Sequence, residues 1–329
     1  MWFKNLRIYR FTAPFSLSAD DLDTQLADGA FVPCGSQDLS RVGWVSPLGG
    51  DSEQLVHASQ GYLMVCAKKQ EKVLPAAVVN EALDEKVAEI AEKEGRPVGR
   101  KERSELKDDV ILALLPKAFV RSSLQYAYIA PEQGYIVVNA ASANKAESML
   151  SLLREALGSL PVHPLVSKHL PHQVMTRWVA DGIDTQHFTL GGECELSDPK
   201  ESTSVIRCKH QDLSSPEIKN HLEAGMVVTK LALCGLQGVE FVLDDQVALK
   251  RLKFADEIHE KADAVDAESK VEQFDIEFSV MTLELTAIIA QLLEALGGIN
   301  TQTDSVDSIV AQATKADTGF SGVDEVVLA

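Results

Sequence analysis

At Pro75 the hydrophobic pattern of this 329-residue chain changes from that of strands to that of helices, and strand patterning returns near Ser122. No other feature restricts the fold as much. The intervening block, AAVVNEALDEKVAEIAEKEGRPVGRKERSELKDDVILALLPKAF, places Val79, Leu83, Val87 and Ile90, then Leu106, Val110, Leu114 and Leu115, at helical spacing. Gly95-Arg96-Pro97-Val98-Gly99 interrupts it, so residues 75–119 are expected to form a helical hairpin. A hairpin inserted between strands tends to project and to need a partner for its apolar stripe, as a lever or a dimer contact.

On either side the chain reads as strands mixed with helices. WFKNLRIYRF and GYLMVCAKKQEKVL are strand candidates, Ser18 with Asp21 opens a short helix that Gly29 stops, and FVPCGSQDLSRVGWVSPLGGDSE reads as turn-rich. SSLQYAYIA and GYIVVNA follow the hairpin, and a helix runs from Ser142 to Leu157, stopped by Gly158. Residues 1–74 with 120–160 therefore make a central α/β domain carrying the hairpin. The proline-rich stretch SLPVHPLVSKHLPHQ marks a boundary, and residues 161–299 make a second α+β domain. There a helix forms around Trp178, another opens at Ser215-Pro216, and strands form at VIRCKHQ, MVVTKLAL, VEFVL and VALKRLKF, with Asp244-Asp245 in the last turn. An acidic helical region comes next. MTLELTAIIAQLLEALGG then sets Met281, Leu285, Ile288, Ile289, Leu292, Leu293 and Leu296 on one broad face. Residues 300–329 have weak periodicity and are expected to be a mobile tail.

Net charge is −18, yet residues 255–329 alone hold 3 Lys/Arg against 16 Asp/Glu. The rest of the chain is close enough to neutral to present basic faces. With no leader pattern and no uninterrupted apolar run of about 18 residues, the expected address is the cytoplasm, with no membrane partner. The five cysteines, Cys34, Cys66, Cys194, Cys208 and Cys234, fit reduced, mostly buried thiols better than a disulfide framework.

Three strand candidates of the second half carry cations with period two: Arg207 and Lys209 with Gln211, then Lys230, then Arg251 and Lys253, beside Lys250. In one sheet these make either a phosphate-tracking face or the solvated outer side of a half-buried sheet. In VALKRLKF, strict alternation turns Arg251 and Lys253 outward and Leu252 and Phe254 toward a core. The linker histidines His163, His169 and His172 match no metal-ligand spacing, so no metal is expected. Pro33-Cys34-Gly35-Ser36-Gln37-Asp38 is not framed as a nucleophile turn. There is no phosphate loop and no dinucleotide fingerprint, so no cofactor is expected. Glu268-Ser269-Lys270 has nuclease-like acid–base spacing but fits an exposed helix pattern more simply, and no catalytic residues emerge.

Longer runs carry a resemblance. WFKNLRIYR, FVPCGSQDLSRVGW, EKVLP, LLPKAF, ASANKAESMLSLLREALGSLPV, KHQDLSSPEIKNHLEAGMVVTKLAL and LKRLKFADE resemble the RdgC family of recombination-associated proteins of proteobacteria, across residues 1 to about 298. The resemblance implies a non-enzymatic, nucleoid-associated protein that binds double-stranded DNA, alone or together with single-stranded DNA, and restrains RecA-dependent recombination. It also implies a homodimer closed into a ring around a positive hole, with one contact at the hairpins and one at the second domain. On that pattern Phe119 lies at the hairpin-side contact, and Lys209, His210 and Gln211 lie near the other contact and the DNA. His210 stands where the family often has Lys, and Met226 stands where Lys is common; both weaken the positive field. The rival expectation is an acidic protein-interaction regulator for which DNA contact is secondary, and a metal-dependent nuclease is a weaker third.

Overall fold

The computed structural model describes residues 1–201, 203–236, 238–264 and 267–300. The expected tail, residues 301–329, lies outside the described residues. The fold is α+β, with eight α-helices and twelve strands among the described residues. The first part carries β1 (Asn5–Phe11), α1 (Ala19–Ala27), β2 (Ser40–Val45), β3 (Val56–Ser59) and β4 (Tyr62–Val73). Next come α2 (Ala76–Glu94), α3 (Arg100–Leu114), β5 (Phe119–Ala130), β6 (Tyr135–Val138) and α4 (Ala143–Leu157). Then follow β7 (Val162–Pro164), α5 (Pro171–Asp181), β8 (Phe188–Ser197), β9 (Val205–Lys209) and α6 (Pro216–Glu223). The last elements are β10 (Val227–Gly235), β11 (Val239–Asp244), β12 (Leu249–Phe254), α7 (Asp256–Asp263) and α8 (Lys270–Ala295).

The chain divides into two compact units. Among the described residues, a central unit comprises Phe15–Leu160 and Ala267–Ile276; a carboxy unit comprises Met1–Pro14, those within 161–264, and 277–300.

In the central unit an antiparallel sheet runs β2-β4-β5-β6, with β3 also on β4. β4 and β5 pair from Leu63 opposite Ile129 to Val73 opposite Phe119. Burial grades along this ribbon: Ala127–Ala130 is fully buried, whereas Phe119–Leu124 is exposed. β2 lies inside the stretch expected to be turn-rich. Its alternation is masked by Gly43, which the packing demands, since a Cβ there would lie 2.5 Å from the Phe31 Cα. Ser18 caps α1, accepting the Asp21 N–H at 3.1 Å. α2 and α3 bury Val79, Leu83 and Val110 in a cluster of their own, flanked by Val87, Leu106 and Leu114. Gly95 at φ 64° ends α2 in the left-handed region, and both terminal nitrogens of Arg96 donate to Glu102 at 2.8 Å. The Glu268-Ser269-Lys270 pattern is a helix start: Ser269 Oγ accepts the Glu272 N–H and Glu272 accepts the Glu268 N–H, opening α8.

In the carboxy unit the antiparallel order is β12-β11-β10-β8-β9, with β1 beside β12 and β7 beside β1. β1 was expected with the central domain by its position in the chain. It groups here because Asn5 and Leu6 pair with Lys250 and Leu249. β8 went unread because Gly191-Gly192 breaks its alternation. α8 buries Met281, Leu285, Ile288, Ile289 and Leu292, the face its spacing predicts, and the Phe3 N–H points at the Met281 sulfur. Fully burying a Leu or Phe in such a core contributes about 1.5–3 kcal/mol. By length and composition alone, α8 is also the one described helix apolar enough to cross a membrane.

Candidate nucleic-acid interface

On β9 the side chains alternate, leaving Arg207 and Lys209 on the exposed side. The neighbouring β8 answers them residue for residue: Glu195 sits opposite Arg207, Glu193 opposite Lys209, and Cys194 opposite Cys208. Glu-Cys-Glu thus faces Arg-Cys-Lys. Cross-strand pairs of opposite charge favour this register. The thiols stay apart from this chemistry, all five cysteines being free, and burial pushes Cys194 up to about 12, with Cys208 beside it adding to the shift.

The alternation of sign continues across the sheet. Lys230 on β10 lies opposite Glu195 on one side and Asp244 on the other. Its ammonium bonds Glu195 Oε1 at 2.7 Å, while the Arg207 Nε takes Oε2 at 2.7 Å. Asp244 then binds Lys250 at 2.8 Å and lies 3.7 Å from Arg7 of β1. The Asp244 side chain is only 4% exposed, and one of its oxygens also accepts the N–H groups of Gln246 and Ala248. That Asx-type capping holds the tight turn in which Val247 adopts φ 57°, so β12 begins at Leu249 rather than Val247. A row of Arg207, Glu195, Lys230, Asp244 and Lys250 therefore crosses five strands with charges alternating.

Arg251 and Lys253 are exposed and Leu252 is buried, the facing that alternation predicts; Phe254 is half-buried against Trp2 at 4.8 Å between ring centroids. The route is less regular than alternation implies. Glu240 opposes Lys253 and Val242 opposes Lys250, so β12 spends two residues where β11 spends one. The bulge is Arg251, at φ 53°, its N–H donated to the Asn5 side chain at 3.2 Å. A left-handed non-glycine residue costs of order 1–3 kcal/mol, which the surrounding ladder must hold in place. β8 bulges too, with Gly191-Gly192-Glu193 spanning the place of Ala232 on β10. Gly191 approaches so closely that a Cβ there would lie 2.8 Å from that of Ala232.

The two bulges line one groove of about 300 Å³ with His210, Glu240, Arg251 and Lys253 on its walls. In it Arg251 bonds Glu193, and Lys253 stands 3.9 Å from Glu240. The Arg251 guanidinium holds the Glu193 carboxyl below its ordinary range. At Glu195 burial opposes ionisation, but the hydrogen bonds from Lys230 and Arg207 outweigh it and lower the pKa.

Of the sequence-predicted residues, the structure gathers Arg207, Lys209, Lys230, Lys250, Arg251 and Lys253 on this one sheet. Gln211 follows β9, exposed, its N–H bonded to the Gly192 carbonyl. His210 is exposed at φ 53° beside the groove. Phe119 starts β5 in the central unit and is 87% exposed. The sequence reading passed over the anions Glu193, Glu195 and Glu240 and the sixth-strand cation Arg7, and it named Asp244 only as a turn residue. The Glu-x-Glu of β8 matched to the Arg-x-Lys of β9 was the available signal. Among the described residues no group of three or more His, Cys, Asp or Glu could hold a metal ion.

The family described as "RdgC: Putative exonuclease, RdgC" matches residues 1–299. The recombination-associated protein RdgC of Tolumonas auensis is 48% identical over 298 residues, covering 91% of this chain and 99% of that protein. Those of Aeromonas hydrophila and Salmonella typhimurium are 47% and 45% identical over the same length, each covering 98% of the relative.

Proposed function

This chain belongs to the RdgC family of recombination-associated proteins, and from that premise we propose that it is a non-enzymatic, largely sequence-independent binder of duplex DNA. It acts as a ring-closed homodimer that restrains RecA-dependent recombination in the nucleoid of the cytoplasm. One observation carries the reading: six Lys and Arg side chains share one sheet, spaced along strands and across them. Strands are about 4.8 Å apart and alternate residues about 7 Å apart, a spacing that suits a phosphate backbone. An exonuclease role, which the family description suggests, finds less support on this face. Three of its carboxylates, Glu193, Glu195 and Asp244, are bonded by Arg or Lys, and among the described residues no group of three or more His, Cys, Asp or Glu is placed to hold a metal ion. The same carboxylates support the rival reading, a regulator that docks another protein through a mixed-charge surface.

Titration of a random-sequence duplex at several salt concentrations tests the proposal. With roughly 6–10 phosphates contacted, log affinity falls with log salt at a slope of about −5 to −9. Arg251→Gln with Lys253→Gln lowers the magnitude of that slope by about two. A flat salt response, or strong preference for one sequence, sinks phosphate tracking and favours the protein-docking reading.

A further inference from the structure

The cations of this sheet are not idle in the DNA-free chain. Glu195 is chelated from two strands, one oxygen by Arg207 of β9 and the other by Lys230 of β10, both at 2.7 Å. That is the bridging arrangement that two non-bridging oxygens of a phosphodiester would adopt between the same cations. Glu193 occupies Arg251 through one oxygen and faces Lys209 in register. The partners differ in accessibility. The Glu195 side chain is 15% exposed, whereas Arg207 is 67% and Lys230 is 38% exposed. The carboxylates are thus pinned in the sheet while the cations reach solvent and can turn to another anion.

Resting on the duplex-binding reading, we propose that Glu193 and Glu195 are built-in phosphate surrogates that set DNA affinity. A phosphate binds by exchange, taking the guanidinium or ammonium that a carboxylate held. Before DNA arrives, the surrogates keep Arg207, Lys230 and Arg251 pointed and neutralised; afterwards they remain as a repulsive floor beneath the backbone. Affinity is therefore held below what the cations alone would supply, which suits a protein that must bind anywhere and release. Asp244 and Glu240 are not part of the device. Asp244 is committed to its turn, and Glu240, 3.9 Å from Lys253 and largely exposed, is a weak surface partner.

The test compares three forms of the full chain on a 30-base-pair random duplex, about three helical turns, at fixed salt: wild type, Glu193→Gln/Glu195→Gln, and a charge-matched control, Glu147→Gln/Glu155→Gln. The control residues lie on α4, exposed and outside the sheet. Thermal melting verifies folding of each, and Glu195→Gln alone serves if the double variant melts early. The sheet variant is expected to bind about tenfold tighter than wild type, and the control less than about threefold tighter. Equal gains in both variants would assign the effect to net charge and overturn the surrogate role. Unchanged or weaker binding by the sheet variant, while wild type binds, also overturns it. If no form binds duplex DNA, the duplex-binding reading itself falls and the inference falls with it.

Discussion

The outer face of the carboxy-unit sheet and the open end of the β4–β5 ribbon are both exposed strand surfaces, and they leave their side chains in opposite conditions. On the sheet, Arg207, Lys230, Lys250, Arg251 and Lys253 all have a carboxylate within 4.0 Å in the same unit. On the ribbon, Phe119 stands 87% exposed opposite Val73, with Val120 and Leu124 also exposed. Charge can be satisfied within one chain by alternating sign across strands. Apolar area can be satisfied only by being covered. The contrast separates two kinds of surface: one already balanced, whose partner must compete, and one whose burial would be pure gain.

The balanced face can be broken at its buried end. Asp244→Ala removes the acceptor of two turn N–H groups and leaves Arg7 and Lys250 without their shared anion. The expected loss is about 3–5 kcal/mol of folding free energy by denaturant unfolding. A loss below about 1 kcal/mol would place Asp244 with the ordinary exposed pairs.

Acid sharpens the contrast with a smaller effect. Glu193 and Glu195 titrate below the ordinary 4.5 in the folded chain, so as pH falls the unfolded chain takes up their protons first. Their contribution is therefore whole above the ordinary value and is lost as pH drops through the lowered folded values. Urea midpoints measured from about pH 5 to about pH 3 should fall more steeply for wild type than for Glu193→Gln/Glu195→Gln. Parallel curves would mean that solvent already screens these pairs.

The smallest effect on stability belongs to the ribbon. Phe119→Ala opens no cavity in an exposed position and should shift stability by no more than about 0.5 kcal/mol. Truncating a core aromatic such as Phe188, 1% exposed, costs about 3–5 kcal/mol. In the proposed dimer, the Phe119 change should instead appear in sedimentation as weaker association. A core-sized fall in melting would mean that the ribbon end packs against its own chain in solution.

Much of this was legible in residue order because it depends on near neighbours. The helices at 76–94 and 100–114, the Ser18 and Ser142 caps and the outward facing of Arg251 and Lys253 all follow from local period and end signals. What was missed depends on register between distant strands. Nothing local says that Lys230 will sit between Glu195 and Asp244, or that β1 will lie beside β12. The bulge at Arg251 is illegible for another reason, since a left-handed strand residue is ordinarily announced by glycine, and here an arginine occupies it. β2 and β8 were hidden by the reverse effect: glycines that serve close packing read as breaks.

Gly191 has a consequence for how such a protein can change over generations. A Cβ there would lie 2.8 Å from that of Ala232, so any side chain forces one of the two strands to shift and the position favours glycine. The charged positions two and four residues further along the same strand have no such backbone restriction, because their side chains meet the ends of flexible Arg and Lys side chains rather than a neighbouring strand. Divergence among descendants of this chain is therefore channelled: the close approach of β8 to β10 restricts position 191, while the charge balance of the sheet can drift through single-letter exchanges at 193 and 195.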